Sequence, residues 1–364
     1  MNRVRTFQLP LAAVVAVATL AACNPPPHES VQRGYRGTGM ELIIDDEERA
    51  ASVAATELPQ VLPQVPDGGP RAGDIYQNVE VLGDLSVAQF TRVMASITEW
   101  VSPEEGCTYC HVAGNFAAED VYTKKVSRVM LAMTQRINED WGENHVAPAG
   151  VNCYTCHRGQ NVPQYVWSHD PGPETSAMID TSGQNVSSPE VGYASLPYDP
   201  FTPFLENDYA ISLQGDTALP TGPNVGTKRA EWTYALMMHF SQSLNANCTF
   251  CHNSRAFGNW EQSPYQRVKA WYAIRMVRDA NNAYIKPTGE WLPDHRLGEL
   301  GDVPKVNCKT CHQGAYKPLY GADMISPYPS LARKQGIAVD MAKGEGTVDL
   351  ADETARTMDG NAGN

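Results

Sequence analysis

Long apolar runs are missing from this sequence. The longest, Leu9 to Ala22, covers fourteen residues, short of the ~20 that a bilayer-crossing helix needs, which argues against a spanning protein. Basic charge is also scarce: 28 Lys and Arg stand against 41 Asp and Glu, for a net charge of -13. A surface of that sign does not suit nucleic acid, and it would attract a basic protein partner. Only one of the nine cysteines, Cys23, lies outside a C-x-x-C pair, so no disulfide framework is left to build.

The other eight cysteines repeat one pattern. Cys107-Thr-Tyr-Cys110-His111, Cys153-Tyr-Thr-Cys156-His157, Cys248-Thr-Phe-Cys251-His252 and Cys308-Lys-Thr-Cys311-His312 are each C-x-x-C-H. In this signature two thiols bond covalently to haem vinyl groups and the adjacent imidazole ligates iron. Paired zinc sites would give no reason for a His after every pair, and thioredoxin-like redox pairs would not come in four. The pattern points to four covalently bound haem c groups. With 42% hydrophobic residues, 26 Pro and 29 Gly, haem-filled lobes joined by irregular loops are expected rather than one protein-only core.

At the N-terminus, Arg3 and Arg5 precede the apolar run, which closes on Leu20-Ala21-Ala22-Cys23. That is a bacterial lipoprotein signal, with Cys23 as the thiol that is acylated and becomes the new N-terminus. Cleavage removes two arginines and no acid, taking the net charge from -13 to -15. Residues 1–22 are therefore read as signal peptide. Residues 23–80 form a lipidated tether and an extended, Pro-rich segment that lies on another surface rather than folding alone. Helical periodicity is expected over Leu85–Val101, with Ser86 as N-cap, and then over Val121–Trp141, Glu231–Leu244 and Pro264–Asn282. The motifs fall in two pairs: the first resembles the third, and Val151-Asn152-Cys153 resembles Val306-Asn307-Cys308. His-to-His gaps of 46 and 60 within pairs, against 95 between them, imply two dihaem lobes related by a pseudo-twofold axis. The lobes are 81–165 and 231–330, joined by a connector at 166–230 and followed by a small, polar tail at 331–364 that is expected to be disordered. The fold class is mainly α with extensive irregular loops.

The second axial ligand decides whether an iron carries electrons or binds a substrate. Met94 lies 17 residues before His111 and Met237 lies 15 before His252, each on a helix from which a turn folds back to the motif. Met238 points about 100° away on the same helix, and His239 is a rival. For the second haem, Met130 and Met133 sit one turn apart and position does not separate them. For the fourth, repeat logic nominates Met276 as the counterpart of Met130, with His295 and His145 as alternatives.

These residues, together with Tyr198-Asp199-Pro200-Phe201-Thr202, Ala235-Leu236-Met237-Met238, Ile274-Arg275-Met276-Val277-Arg278-Asp279 and Thr310-Cys311-His312-Gln313-Gly314, resemble the tetrahaem cytochrome subunit of purple bacterial photosynthetic reaction centres. The resemblance covers nearly the whole chain after the signal. It implies Met94, Met130 and Met237 as distal ligands of the first three haems and His145 as that of the fourth, opposite His111, His157, His252 and His312. It also implies a linear array in the order one, two, four, three. Electrons would arrive at haem one from a soluble basic cytochrome c or another periplasmic donor and leave from haem three to the photo-oxidised bacteriochlorophyll pair on the L and M subunits. The protein would sit on the periplasmic face of the inner (intracytoplasmic) membrane, anchored by lipid. Glu99, Glu104, Glu105, Glu119 and Asp120, around the first motif, form a cluster suited to steering a basic donor. Arg255, Arg267, Arg275, Arg278 and Arg296 could pair with haem propionates.

On this reading the protein is an electron carrier and not an enzyme. The alternative is a periplasmic multihaem oxidoreductase with one open-coordination haem as active site. The relay predicts low-spin iron throughout and no carbon monoxide binding. A high-spin signal, or a carbon monoxide difference spectrum from the reduced protein, would instead select the oxidoreductase.

Overall fold

A computed structural model describes residues 28–32, 41–170, 191, 196–211 and 227–332. The signal, Cys23, the tail from 333 onward and most of the connector lie outside the described residues.

The chain first forms an antiparallel pair, β1 (His28–Gln32) and β2 (Glu41–Asp45). It leads directly into α1 (Asp46–Ala54), where the Asp45 carboxylate accepts from the backbone N–H of Glu47 and Glu48, both at 3.0 Å. Three acids in the first turn, Asp46, Glu47 and Glu48, complement the positive helix end. The expectation of a purely extended segment missed these elements. The extension is real only beyond α1, where Arg92 donates to the carbonyls of Leu62 (2.7 Å) and Pro63 (2.8 Å), and Tyr154 to that of Glu57 (3.1 Å).

Four longer helices follow: α2 (Val87–Val101), α3 (Tyr122–Asp140), and later α5 (Thr227–Leu244) and α6 (Tyr265–Asp279). Two short helices carry motifs, α4 (Cys153–His157) and α7 (Cys308–His312). Ser86 caps α2 in a reciprocal capping box with Gln89. The face at Val93 and Trp100 is buried with Leu82, Leu85 and Leu131. Helix α2 stops at Ser102, and Gly106, at φ +66°, turns the chain into the first motif.

Tyr328 and Leu331, from the far end of the described chain, complete that first core. Ser96 and Tyr328 hydroxyls pair at 2.9 Å, Arg92 donates to Pro327 O (2.9 Å), Gln135 to Ser330 O (2.9 Å) and Asn138 to Leu331 O (2.9 Å). Residues 324–331 therefore strap the first motif pair, although they follow the fourth motif in sequence. A second core gathers Trp167, Phe201, Phe204, Leu205, Leu236, Ile274 and Val277. Helix α6 widens into a π-helical turn at Ala280–Ile285, which aims Asn281 at the strand of chain before the fourth motif.

Candidate haem-binding site

Each motif folds as a helical turn, so the two cysteines, three residues apart, share a face and the His follows on the next position. The turns come in two kinds. Motifs one and three are 3₁₀ turns, Gly106–Tyr109 and Cys248–Phe250. Motifs two and four are α4 and α7, begun by matching capping boxes, Asn152 with Thr155 and Asn307 with Thr310. Both end in left-handed residues, Arg158 (φ 52°, ψ 37°) and Gln313 (φ 49°, ψ 40°).

The His side chains repeat the pairing. Nδ1 of His111 lies 3.1 Å from Phe116 O and that of His252 2.9 Å from Phe257 O, five residues on in both cases. Their rings stack on the same phenylalanines, with centroids 4.8 and 5.2 Å apart. Nδ1 of His157 and His312 meets a carbonyl three residues on, Gln160 O at 2.8 Å and Ala315 O at 2.9 Å. A carbonyl can only accept, so each Nδ1 carries the proton and Nε2 keeps its lone pair for a metal.

All eight motif cysteines are free; their sulfurs stand in for the thioether sulfurs of attached haem. Burial pushes the Cys153 and Cys308 thiols up to about 12 and Cys251 up to about 11, the opposite of a reactive redox thiolate. Cys156 and Cys311 lie side by side, and Arg158 donates to Cys311 O at 3.2 Å, so motifs two and four adjoin. Among the described residues no three His, Cys, Asp or Glu converge on a bare metal ion.

His145 projects from the π-helical turn Gly142–Val146 and meets His312 of the other motif pair, with ring centroids 6.1 Å apart and planes at 59°. Metal–nitrogen bonds of about 2.0 Å on both sides bring two imidazoles to a centroid separation of about 6 Å, so the gap suits one iron. Burial, and then the neighbouring His312, hold the His145 pKa down to about 3, leaving the ring neutral as ligation requires. Its Nδ1 is buried and makes no hydrogen bond of good geometry, with the Lys269 backbone the nearest partner for the ring. The donor set fits haem c.

Packing distinguishes some of the remaining distal candidates and leaves Met130 and Met133 equally half-buried. Met94 lies against the first core and Met237 against the second. Met238 turns instead to Val191, Leu196 and Ala235. His239 is buried against Phe201, with its Nε2 3.2 Å from the Ser243 hydroxyl, while His295 is exposed. Sequence reading missed a clamp that fixes the repeat register. Asn138 exchanges two bonds with Val151, both at 2.8 Å, and Asn281 does the same with Val306, at 3.0 and 2.9 Å. Aligned on these asparagines, Met276 falls opposite Met133, not Met130 as expected. Opposite Met130 stands Ala273, which offers no ligand; Met276, like Met237, is partly buried against the second core.

The family model for the photosynthetic reaction centre cytochrome c subunit matches residues 24–332. The chain belongs to this family. It is 50% identical to the photosynthetic reaction center cytochrome c subunit of Thermochromatium tepidum, over 91% of this chain and 82% of that one. Against the proteins of the same name from Rubrivivax gelatinosus and Roseobacter denitrificans it is 52% and 40% identical, covering 88% and 89% of its length and 87% and 91% of theirs. Members carry covalent haem c and serve as electron carriers of a membrane-associated complex, not as enzymes. Among the described residues of this reaction-centre cytochrome, no helix is long and apolar enough to cross a membrane.

Of the five acids expected to face a donor, Glu99, Glu104 and Asp120 are exposed. Glu105 is also exposed, but accepts from Ser102 Oγ and Asn161 Nδ2, each at 2.7 Å, bonds that lower its pKa. Glu119 is committed inside the cytochrome: Arg128 grips it at 2.6 and 2.8 Å, Lys124 approaches to 3.0 Å and Asn78 donates at 2.5 Å. Its charge is compensated and adds little to long-range steering. Among the arginines, Arg278 pairs with Asp208, and Arg296 bonds Tyr122 at 3.3 Å.

The Arg128 hydrogen bonds hold the Glu119 carboxyl at about 2, down from 4.5. A depressed folded pKa means the stabilisation is complete above the unfolded value and disappears as pH falls through the folded one. Glu119→Gln should therefore lower the melting temperature at neutral pH, with the gap to wild type closing between pH 4.5 and about 2. Parallel melting curves across that window would refute the clamp.

Proposed function

We propose that this subunit passes electrons through four haems from a soluble, basic periplasmic donor to the photo-oxidised bacteriochlorophyll pair of the L and M subunits. The bound haem supplies a one-electron iron couple; the protein's part is to fix each iron from both faces and to set its potential. His111, His157, His252 and His312 would each hold one iron through Nε2, with Nδ1 anchored. Met94, Met130 and Met237 provide thioethers to the first three, and His145 an imidazole to the fourth. A thioether favours reduced iron relative to a second imidazole, which makes the fourth haem the low step of the chain.

The observation that carries this reading is His145 facing His312 at 6.1 Å. A residue of the first motif pair reaches the fourth motif, which supports the spatial order one, two, four, three. The Cys156–Cys311 contact supports the same adjacency of haems two and four, and the paired turn geometries support two related lobes. The exposed Glu99, Glu104 and Asp120 supply the negative face for the donor, whose association should weaken with salt. Acylated Cys23 tethers the acidic body to the periplasmic face of the membrane.

Flash excitation of intact membranes tests the relay. Haem oxidation within microseconds or faster is expected, and absence of flash-induced oxidation would sink it. His145→Met should raise one midpoint potential and leave the other three in place; an unchanged redox titration would remove His145 from the ligand set.

A further inference from the structure

The carbonyl oxygen of Phe116 receives two donors. One is Nδ1–H of His111 at 3.1 Å; the other is the Lys124 ammonium at 3.0 Å. Lys124, on the first turn of α3, is only 6% exposed. Its Nζ also donates to Ala117 O and Ala118 O, both at 2.9 Å, and ion-pairs with Glu119 at 3.0 Å. An ammonium has three protons, and here all of them are directed into one loop, residues 116–119. A cation buried this deeply to hold backbone oxygens is costly unless those bonds are well made.

The third motif provides an internal comparison. His252 bonds Phe257 O in the same way, and a cation from the following helix again closes the loop, but Arg267 reaches the next two carbonyls, Gly258 (3.3 Å) and Asn259 (3.0 Å). In the third motif the clamp and the ligand bond use different oxygens. In the first they share one.

We propose that Lys124 is a positioning residue that sets the potential of the first haem by competing with His111 Nδ1–H for the Phe116 carbonyl. This rests on the reading of His111 as an axial ligand. A carbonyl oxygen already bonded to an ammonium has less electron density to give a second donor. The Nδ1–H···O bond is weakened, Nε2 becomes a poorer base, and a less basic imidazole stabilises Fe(III) less, so the potential rises. The direct field of the ammonium acts in the same sense but is offset by Glu119 at 3.0 Å. The first haem, where electrons arrive from the donor, is thereby tuned apart from the third although both share the Met/His set.

Two readouts on the purified, haem-loaded protein test this. In a redox titration, Lys124→Met should shift one haem's equilibrium about tenfold toward the oxidised form, equivalent to about 59 mV for one electron, with the other three unmoved. In proton NMR of the reduced, low-spin protein, the His111 Nδ1–H resonance should move downfield as its hydrogen bond strengthens. Lys124→Arg should return both towards wild type. Lys124→Gln, which keeps a neutral donor and disturbs the fold least, should give a smaller shift in the same direction. If the Met or Gln variant keeps four haems while neither potential nor resonance moves, the proposal is overturned. A moved potential with a fixed resonance also overturns it, assigning the effect to charge alone. Failure of the underlying ligand reading would show separately, in the unsubstituted protein, as high-spin iron at the first motif.

Discussion

Four short hydrogen bonds, each from a histidine Nδ1 to a backbone carbonyl three or five residues ahead, are the constraint on which the rest of this structure depends. They fix the tautomer, and with it the nitrogen that can face a metal. They also tie each imidazole to the loop that follows it, so the loop's conformation fixes the orientation of the ring. The surrounding architecture stabilises those loops: asparagine capping boxes on α4 and α7, cation clamps from α3 and α6, and phenylalanines stacked on two of the imidazoles.

The two motif pairs adjoin, and the relay proposed above depends on that adjacency. A π-helical turn after α3 carries His145 to His312, and the Lys269 side chain of α6 holds the Glu143 carbonyl of that same turn at 2.5 Å. The register set by Asn138 and Asn281 is in keeping with the proposal that the fourth site draws its second ligand from the other pair. Where the first pair has Met130, the second has Ala273, and Met276 aligns with Met133 instead.

The features that were legible in the sequence are those with a local physical signature. The C-x-x-C-H motifs and the helices at Val87–Val101 and Tyr122–Asp140 fall within a residue or two of expectation, because apolar spacing and a serine cap suffice to place them. Helix α1 carried such a signature too, in Asp45 and the acids after it, but the proline density on either side masked it. Other features depend on long-range partners and have no local signal. The asparagine clamps join positions 13 and 25 residues apart, and the Tyr328–Ser96 pair spans 232. Glu119 read as one more surface acid, since its neutralisation by Arg128 and Lys124 shows only when the loop closes on α3.

The returning strap at residues 324–331 bears on biogenesis. Synthesis delivers the chain N-terminus first, and the core around Trp100 needs Tyr328 and Leu331, nearly the last of the described residues to emerge. Until then the core beside the first two cysteine pairs lacks one of its walls. The topology itself therefore postpones closure of this core until all four pairs have been made.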